Sequence, residues 1–378
     1  MILDESGNLY GTTYNGGASS VNCPYGCGTV FEMSPGKDGE WTETLLYSFQ
    51  GYAQDGMEPA GGLVFDAAGN LYGTTMRGGA HGEGTVFKLA RQKGGGFLET
   101  VLYSFCSVGT YCSDGSAPVG GVVLDSGGNL YGTTSFGGLA NGTVFELTPG
   151  ANGQWSERVL HAFLGSEGST PFATLIVDTA GNLYGMTGGP NGGPFCSGLS
   201  TAFELSLGQN GTWSFSVLHS FPPPGGQDGS CSTAPLVRDG AGHLYGTTYL
   251  GGAYGAGTVF ALAPGPAGGW VEKILHSFDI NDGAQPYAGL ILDEHGNLLG
   301  TLSSGGRNGF GSVFKLTPDG QGRWTETILH DFTGLDGTSP YAGLVSDHAG
   351  HLYGTTYYGG YLSDCYYDGC GVVFEVTP

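Results

Sequence analysis

Gly69-Asn70-Leu71-Tyr72-Gly73-Thr74-Thr75, then Gly78-Gly79, then Gly84-Thr85-Val86-Phe87-Lys88-Leu89, is the stretch that decides the fold, because it comes seven times. The string G-(N/H)-L-(Y/L)-G begins at Gly7, Gly69, Gly128, Gly181, Gly242, Gly296 and Gly350. A Gly-Gly pair follows at Gly16, Gly78, Gly137, Gly188, Gly251, Gly305 and Gly359, and after it a (G/S)-x-(V/A)-F segment. All five tryptophans then occupy one position, as Trp41, Trp155, Trp213, Trp270 and Trp324, with Phe97 taking it in the second repeat. A period of about 57 residues marks supersecondary units that bury their apolar faces only against neighbouring copies.

One repeat reads as four short strands, expected in the second copy at 62–66, 70–75, 85–89 and 97–105. These runs are β-branched and aromatic, and Gly, Asn, Asp and Pro bound them. Asp66-Ala-Ala-Gly69-Asn70 has the chemistry of a tight hairpin: the Asp accepts from the turn backbone, and Gly or Asn tolerates positive φ. No stretch keeps a capped 3.6-residue period, so helix should be nearly absent. Leu71, Tyr72, Val86, Phe87, Leu102 and Phe105 make both faces of the sheet apolar, which suits sheets stacked face to face. The expected fold is all-β, a seven-bladed β-propeller of four-stranded antiparallel blades. It should form a single domain, 1–378, with repeats starting near 1, 59, 118, 171, 235, 286 and 340. The final repeat reaches only a third strand, at Val373-Phe374-Glu375-Val376, so the last blade is expected to be three-stranded. Its open edge would be a route to self-association unless residues upstream of Met1 supply the missing strand.

Lys and Arg number 11 against 33 Asp and Glu, a net charge of −22 that disfavours nucleic acid and anionic lipid as partners. No apolar run approaches the ~18–20 residues of a membrane helix, and no signal peptide precedes the first strand. The eight cysteines are an even number in an acidic chain, which favours disulfides and an oxidising compartment. The expected pairs are Cys23–Cys27, Cys106–Cys112, Cys365–Cys370 and Cys196–Cys231. The close spacing of Cys23/Cys27 and of Cys365/Cys370 would also suit half of a zinc site, although no paired His supports one.

All eight cysteines lie in the loops that follow the second strand or lead into the next repeat, and these loops open on one face. The long ones, 18–27, 190–199 and 361–370, mark that face as the binding face. Tyr14, Tyr25, Tyr357, Tyr358, Tyr361, Tyr366 and Tyr367 crowd it and suit stacking on sugars or a protein partner. Asp-Gly recurs at Asp55, Asp114, Asp228, Asp282 and Asp336, with Glu167-Gly168 in the third repeat. Turn chemistry explains these acids, and calcium is the cofactor they could take. His161, His219, His276 and His330 stand in fourth strands where Tyr47 and Tyr103 stand in the first two, which points to packing and hydrogen bonding. His243 and His351 replace the turn Asn. No nucleophile elbow, HExxH or phosphate loop is present, and no residue is assigned to catalysis.

The run from Gly69 to Leu89 resembles the bacterial GloVer tandem-repeat family across all seven copies. Its D-x-x-G-N-L-Y portion is similar to the NHL and streptogramin-lyase propellers. The resemblance implies a secreted or surface-displayed propeller with no established activity. Repeat four departs most, with Tyr184-Gly-Met-Thr and Ser200-Thr-Ala-Phe203, and repeat six reads Leu299-Gly-Thr-Leu. The expected function is a non-enzymatic extracellular or cell-surface propeller that binds a carbohydrate or protein through its disulfide-pinned loops. The alternatives are a self-assembling structural subunit and a streptogramin-lyase-like or hydrolytic enzyme.

Overall fold

The computed structural model describes residues 1–378 apart from 22, 38, 52–54, 190–197, 267 and 361–368. The chain is an all-β propeller of seven antiparallel blades, which among the described residues have four strands each in the first six and three in the last. Among the described residues the only helix is a 3-10 turn at Ala151–Gly153. Two compact units partition the chain, Met1–Leu183 with Leu205–Phe215, and Tyr184–Glu204 with Ser216–Pro378. Blades one to three lie in the first and blades five to seven in the second.

The second blade shows the pattern. Its strands are Val64–Phe65, Leu71–Thr75, Thr85–Arg91 and Phe97–Ser104, each hydrogen-bonded to the next. The Asp66 turn joins the first two: Oδ1 accepts from the Ala68 and Asn70 amides, and Oδ2 from Asn70 Nδ2 and the Tyr72 hydroxyl. Gly69 sits at φ +76°, a value that favours glycine. Gly73 pairs with Phe87, and a Cβ there would lie 2.7 Å from the Phe87 ring, so only glycine lets the ring lie over the strand.

The first strand is two residues long, shorter than the sequence suggests. The residues ahead of it are committed to the neighbouring blade. A Cβ on Gly61 would meet the Gly121 amide nitrogen at 2.6 Å, and the Thr74 hydroxyl donates to the Gly120 carbonyl. Thr133 to Ala173, Thr247 to Ala288 and Thr301 to Ala342 repeat that bond.

Aromatic contacts complete interfaces between successive blades. The Phe after the fourth strand packs edge-on against the third-strand Phe of the next blade, as in Phe49–Phe87, Phe105–Phe145, Phe278–Phe314 and Phe332–Phe374. The fourth-strand Trp meets a second-strand Tyr of the blade before it in Tyr72–Trp155, Tyr131–Trp213, Tyr184–Trp270 and Tyr245–Trp324. This is where the repeated apolar positions go: into surfaces that only a neighbouring blade can cover.

Candidate functional site

The loop that leads into a blade is bridged to the loop after that blade's second strand. Gly56–Met57 pairs with Arg77–Gly78, and Gly229–Ser230 with Leu250–Gly251. Single bridges join Ser116 to Phe136, Ala284 to Ser304 and Thr338 to Tyr358. The two loop classes therefore share one face of each blade. The Asp-Gly glycine is required by close approach: a Cβ on Gly56, Gly115 or Gly229 would lie 2.3–2.4 Å from Thr75, Thr134 or Thr248.

The acid of each Asp-Gly is met by the Tyr or His of the preceding fourth strand. A β-bulge stands beside that residue, with a register shift between Val101 and Tyr103 in blade two and at the matching place in blades one, three, five and six. Such a bulge re-aims the following side chain. Tyr47 and Tyr103 donate to Asp55 and Asp114 at 3.2 and 2.8 Å. His161 Nε2 and His330 Nε2 hydrogen-bond Glu167 and Asp336 at 3.1 and 2.9 Å. His219 and His276 face Asp228 and Asp282 at 3.4 and 3.5 Å. The interchange of Tyr and His along the repeats is thus a hydrogen-bonding role toward the loop acid.

Turn chemistry accounts for much of the acids' bonding. Asp55 also accepts from the Gln50 and Gly56 amides, Asp114 from Ser107 and Val108, and Asp336 from Thr333. No two of the five Asp-Gly acids share a described hydrogen bond or ion pair.

A third member went unread in the sequence. The residue two places after the fourth-strand aromatic in the next blade turns its side chain toward the same spot: Glu99, Glu157, Glu272 and Glu326. In blade four Phe215 takes that place and stacks flat on His161, centroids 3.8 Å apart. Burial, with the adjacent Asp charge second, pushes Glu99 and Glu326 up to about 8 and Glu157 and Glu272 up to about 7. The available signal was (W/F)-x-E near the start of the fourth strand. Which blade's acid it would meet depends on the packing between blades, which one repeat does not encode.

Disulfides join Cys23 to Cys27 and Cys106 to Cys112, as expected from their spacing. Cys231 and Cys370 are also disulfide-bonded, while Cys196 and Cys365, their expected partners, lie outside the described residues. The 106–112 loop presents Tyr111 over a shallow cleft of about 480 Å³, which Phe136 and Leu139 also line.

Of the tyrosines singled out, Tyr14 donates to Glu58, and Tyr25 is exposed. Tyr357 and Tyr358 pack edge-on at 4.6 Å. Tyr361, Tyr366 and Tyr367 lie outside the described residues. The second unit adds three that sequence reading missed. Tyr249, Tyr287, Tyr341 and Tyr357 form a continuous edge-to-face ladder, with centroids 6.1, 5.0 and 5.7 Å apart. They come from three successive repeats, so no local cluster announces them.

Repeated antiparallel blades, each with its two bridged loop classes on one side, define a β-propeller. The chain belongs to the Gloeobacter/Verrucomicrobia repeat family, whose model matches residues 1–233 and 191–378. Among solved structures, it is similar to a puromycin-hydrolysing peptidase of Mycobacterium tuberculosis, with a TM-score of 0.52 and 12% identity. That match covers 87% of this chain and 47% of the other, so the chain spans about half of that protein's length. A luciferin-regenerating enzyme aligns with a TM-score of 0.48 and 14% identity, over 85% of this chain and 91% of that one. Likeness at such identities is one of fold alone. No curated protein sequence matches the chain. Among the described residues no helix is long and apolar enough to cross a membrane.

Proposed function

We propose that the protein is a non-enzymatic binding propeller whose loop face takes a neutral carbohydrate. The tyrosine ladder of the second unit carries this reading. Tyr341, Tyr357 and Tyr358 stay 40%, 52% and 38% exposed, although each contacts a neighbouring ring. A row of rigid, part-exposed phenol rings can stack on sugar faces and hydrogen-bond their edges at little entropic cost. A net charge of −22 favours neutral or cationic ligands over anionic ones. The Cys23–Cys27 and Cys106–Cys112 disulfides support an extracellular or cell-surface setting, because such bonds persist in oxidising compartments.

A glycan array probed with the whole chain, followed by calorimetry on the best neutral oligosaccharide, tests the reading. Tyr341→Ala and Tyr357→Ala should each weaken binding about tenfold or more, roughly 1.4 kcal/mol. An array without a binder, or a binder indifferent to both substitutions, would end it.

A further inference from the structure

Two of the six positions where a fourth strand meets the next incoming loop carry His, Asp and Glu together. At one, His219 closes blade four, Asp228 lies on the loop into blade five, and Glu272 lies on blade five's fourth strand. At the other, His276, Asp282 and Glu326 repeat the arrangement one blade on. In each set one ligand atom per residue lies within 4.8 Å of the other two. We infer that these are two binding sites for a borderline divalent metal ion, of which zinc is the type, each held by one imidazole and two carboxylates.

The six related positions act as internal controls. Where no Glu faces the His, the imidazole hydrogen-bonds its acid: His161 to Glu167 at 3.1 Å and His330 to Asp336 at 2.9 Å. Where Glu is present, the pair opens. His219 Nε2 stands 3.4 Å from Asp228 Oδ2, and His276 Nε2 stands 3.5 Å from Asp282 Oδ2 and 3.6 Å from Glu326 Oε2. Neither Nε2 makes a hydrogen bond, which sets these two positions apart; Oε1 of Glu272 and of Glu326 is also shut off from solvent without a partner, as Oε1 of Glu99 and of Glu157 is beside the tyrosines. Buried polar atoms without partners are costly, and the two imidazole nitrogens each face carboxylates without bonding them.

The spacing suits an ion. Donor atoms around a tetrahedral ion with bonds of ~2.1 Å stand ~3.4 Å apart. The backbone orients the carboxylates: Asp228 Oδ1 accepts from the Gly229 amide and Asp282 Oδ1 from the Asp279 amide, which leaves Oδ2 toward the imidazole. An imidazole donor favours zinc and its neighbours over calcium, which takes oxygen. Three protein ligands leave a fourth place for water. The ion would tie one blade's last strand to the next blade.

Chelator-stripped whole chain is dialysed against zinc chloride, and bound metal is measured by elemental analysis. Two equivalents per chain are expected, undisturbed by excess calcium. Cobalt in their place should give the visible absorption of four-coordinate geometry, and thermal melts should move upward with added zinc. His219→Gln and His276→Gln should each remove one equivalent. Glu272→Gln and Glu326→Gln, nearly isosteric, should weaken their own site at least tenfold and serve if a His variant fails to fold. Tyr103→His should add a third equivalent, because Asp114 and Glu157 already wait there. Absence of tight zinc overturns the proposal, as does zinc retained in full by folded variants of both sites.

Discussion

At the residue scale, glycine and glutamate make opposite contributions. Gly246 is there because a Cβ would sit 2.6 Å from Phe260, so Gly246→Ala should cost about 1–3 kcal/mol in chemical denaturation. Gly240, with open space around it and an ordinary φ, should accept Ala without measurable loss. Glu99 and Glu157 are penalised when ionised, first by burial and then by Asp55 and Asp114 respectively. Their folded values, about 8 and about 7, lie above the ordinary 4.5. A raised folded value means that the folded state holds the proton more tightly. The resulting stabilisation is complete below 4.5 and is lost as pH rises through 7–8. In chelator, the melting temperature should therefore fall from pH 5 to pH 8, and Glu99→Gln with Glu157→Gln should flatten the fall. A profile unchanged by the double substitution would show that these carboxyls are solvated.

At the scale of elements, the Asp hairpin, the bulged fourth strand and the disulfide loop differ in how openly the sequence displays them. The hairpin is wholly local: Asp66, Gly69, Asn70 and Tyr72 satisfy one another within seven residues, so its repeat was readable in every copy. His243 and His351 keep the bond of the Asn they replace, each Nδ1 lying 2.8 Å from its Asp. Cys106–Cys112 is also local, and spacing alone suggested it. The site acids were half legible. Asp228 and Asp282 stand out in their Asp-Gly pairs, but Glu272 and Glu326 reach them only through packing between blades, and the ladder from Tyr249 to Tyr357 is assembled the same way. Replacing Cys106 and Cys112 by Ser should cost about 2 kcal/mol, the loop-entropy value for so short a ring. Its distinctive sign should be faster proteolysis around Tyr111, with the melting of the blades nearly unchanged.

At the scale of the whole molecule, seven near-identical blades make any departure an experiment already done. Val86, Val144, Val259 and Val313 hold one third-strand position and are fully buried, each beneath a fourth strand. Val373 holds the same position in blade seven and is 36% exposed, because among the described residues no fourth strand covers Val373–Val376. The exposed strand offers backbone donors and acceptors on one side and a row prepared for a partner strand. A peptide with the sequence of Trp324–Asp331, extended through Phe332, is shaped for it: its own copy pairs with the third strand of blade six from Pro318 to Ser312 and sends Phe332 against Phe374. Added in excess and labelled, that peptide should bind saturably, raise the melting temperature, and suppress any association of the chain seen on a sizing column. The same peptide with proline at alternate residues cannot complete the ladder and should do none of these. If both peptides act alike, or neither binds, then the edge is not a docking strand, and assembly through blade seven would have to be abandoned.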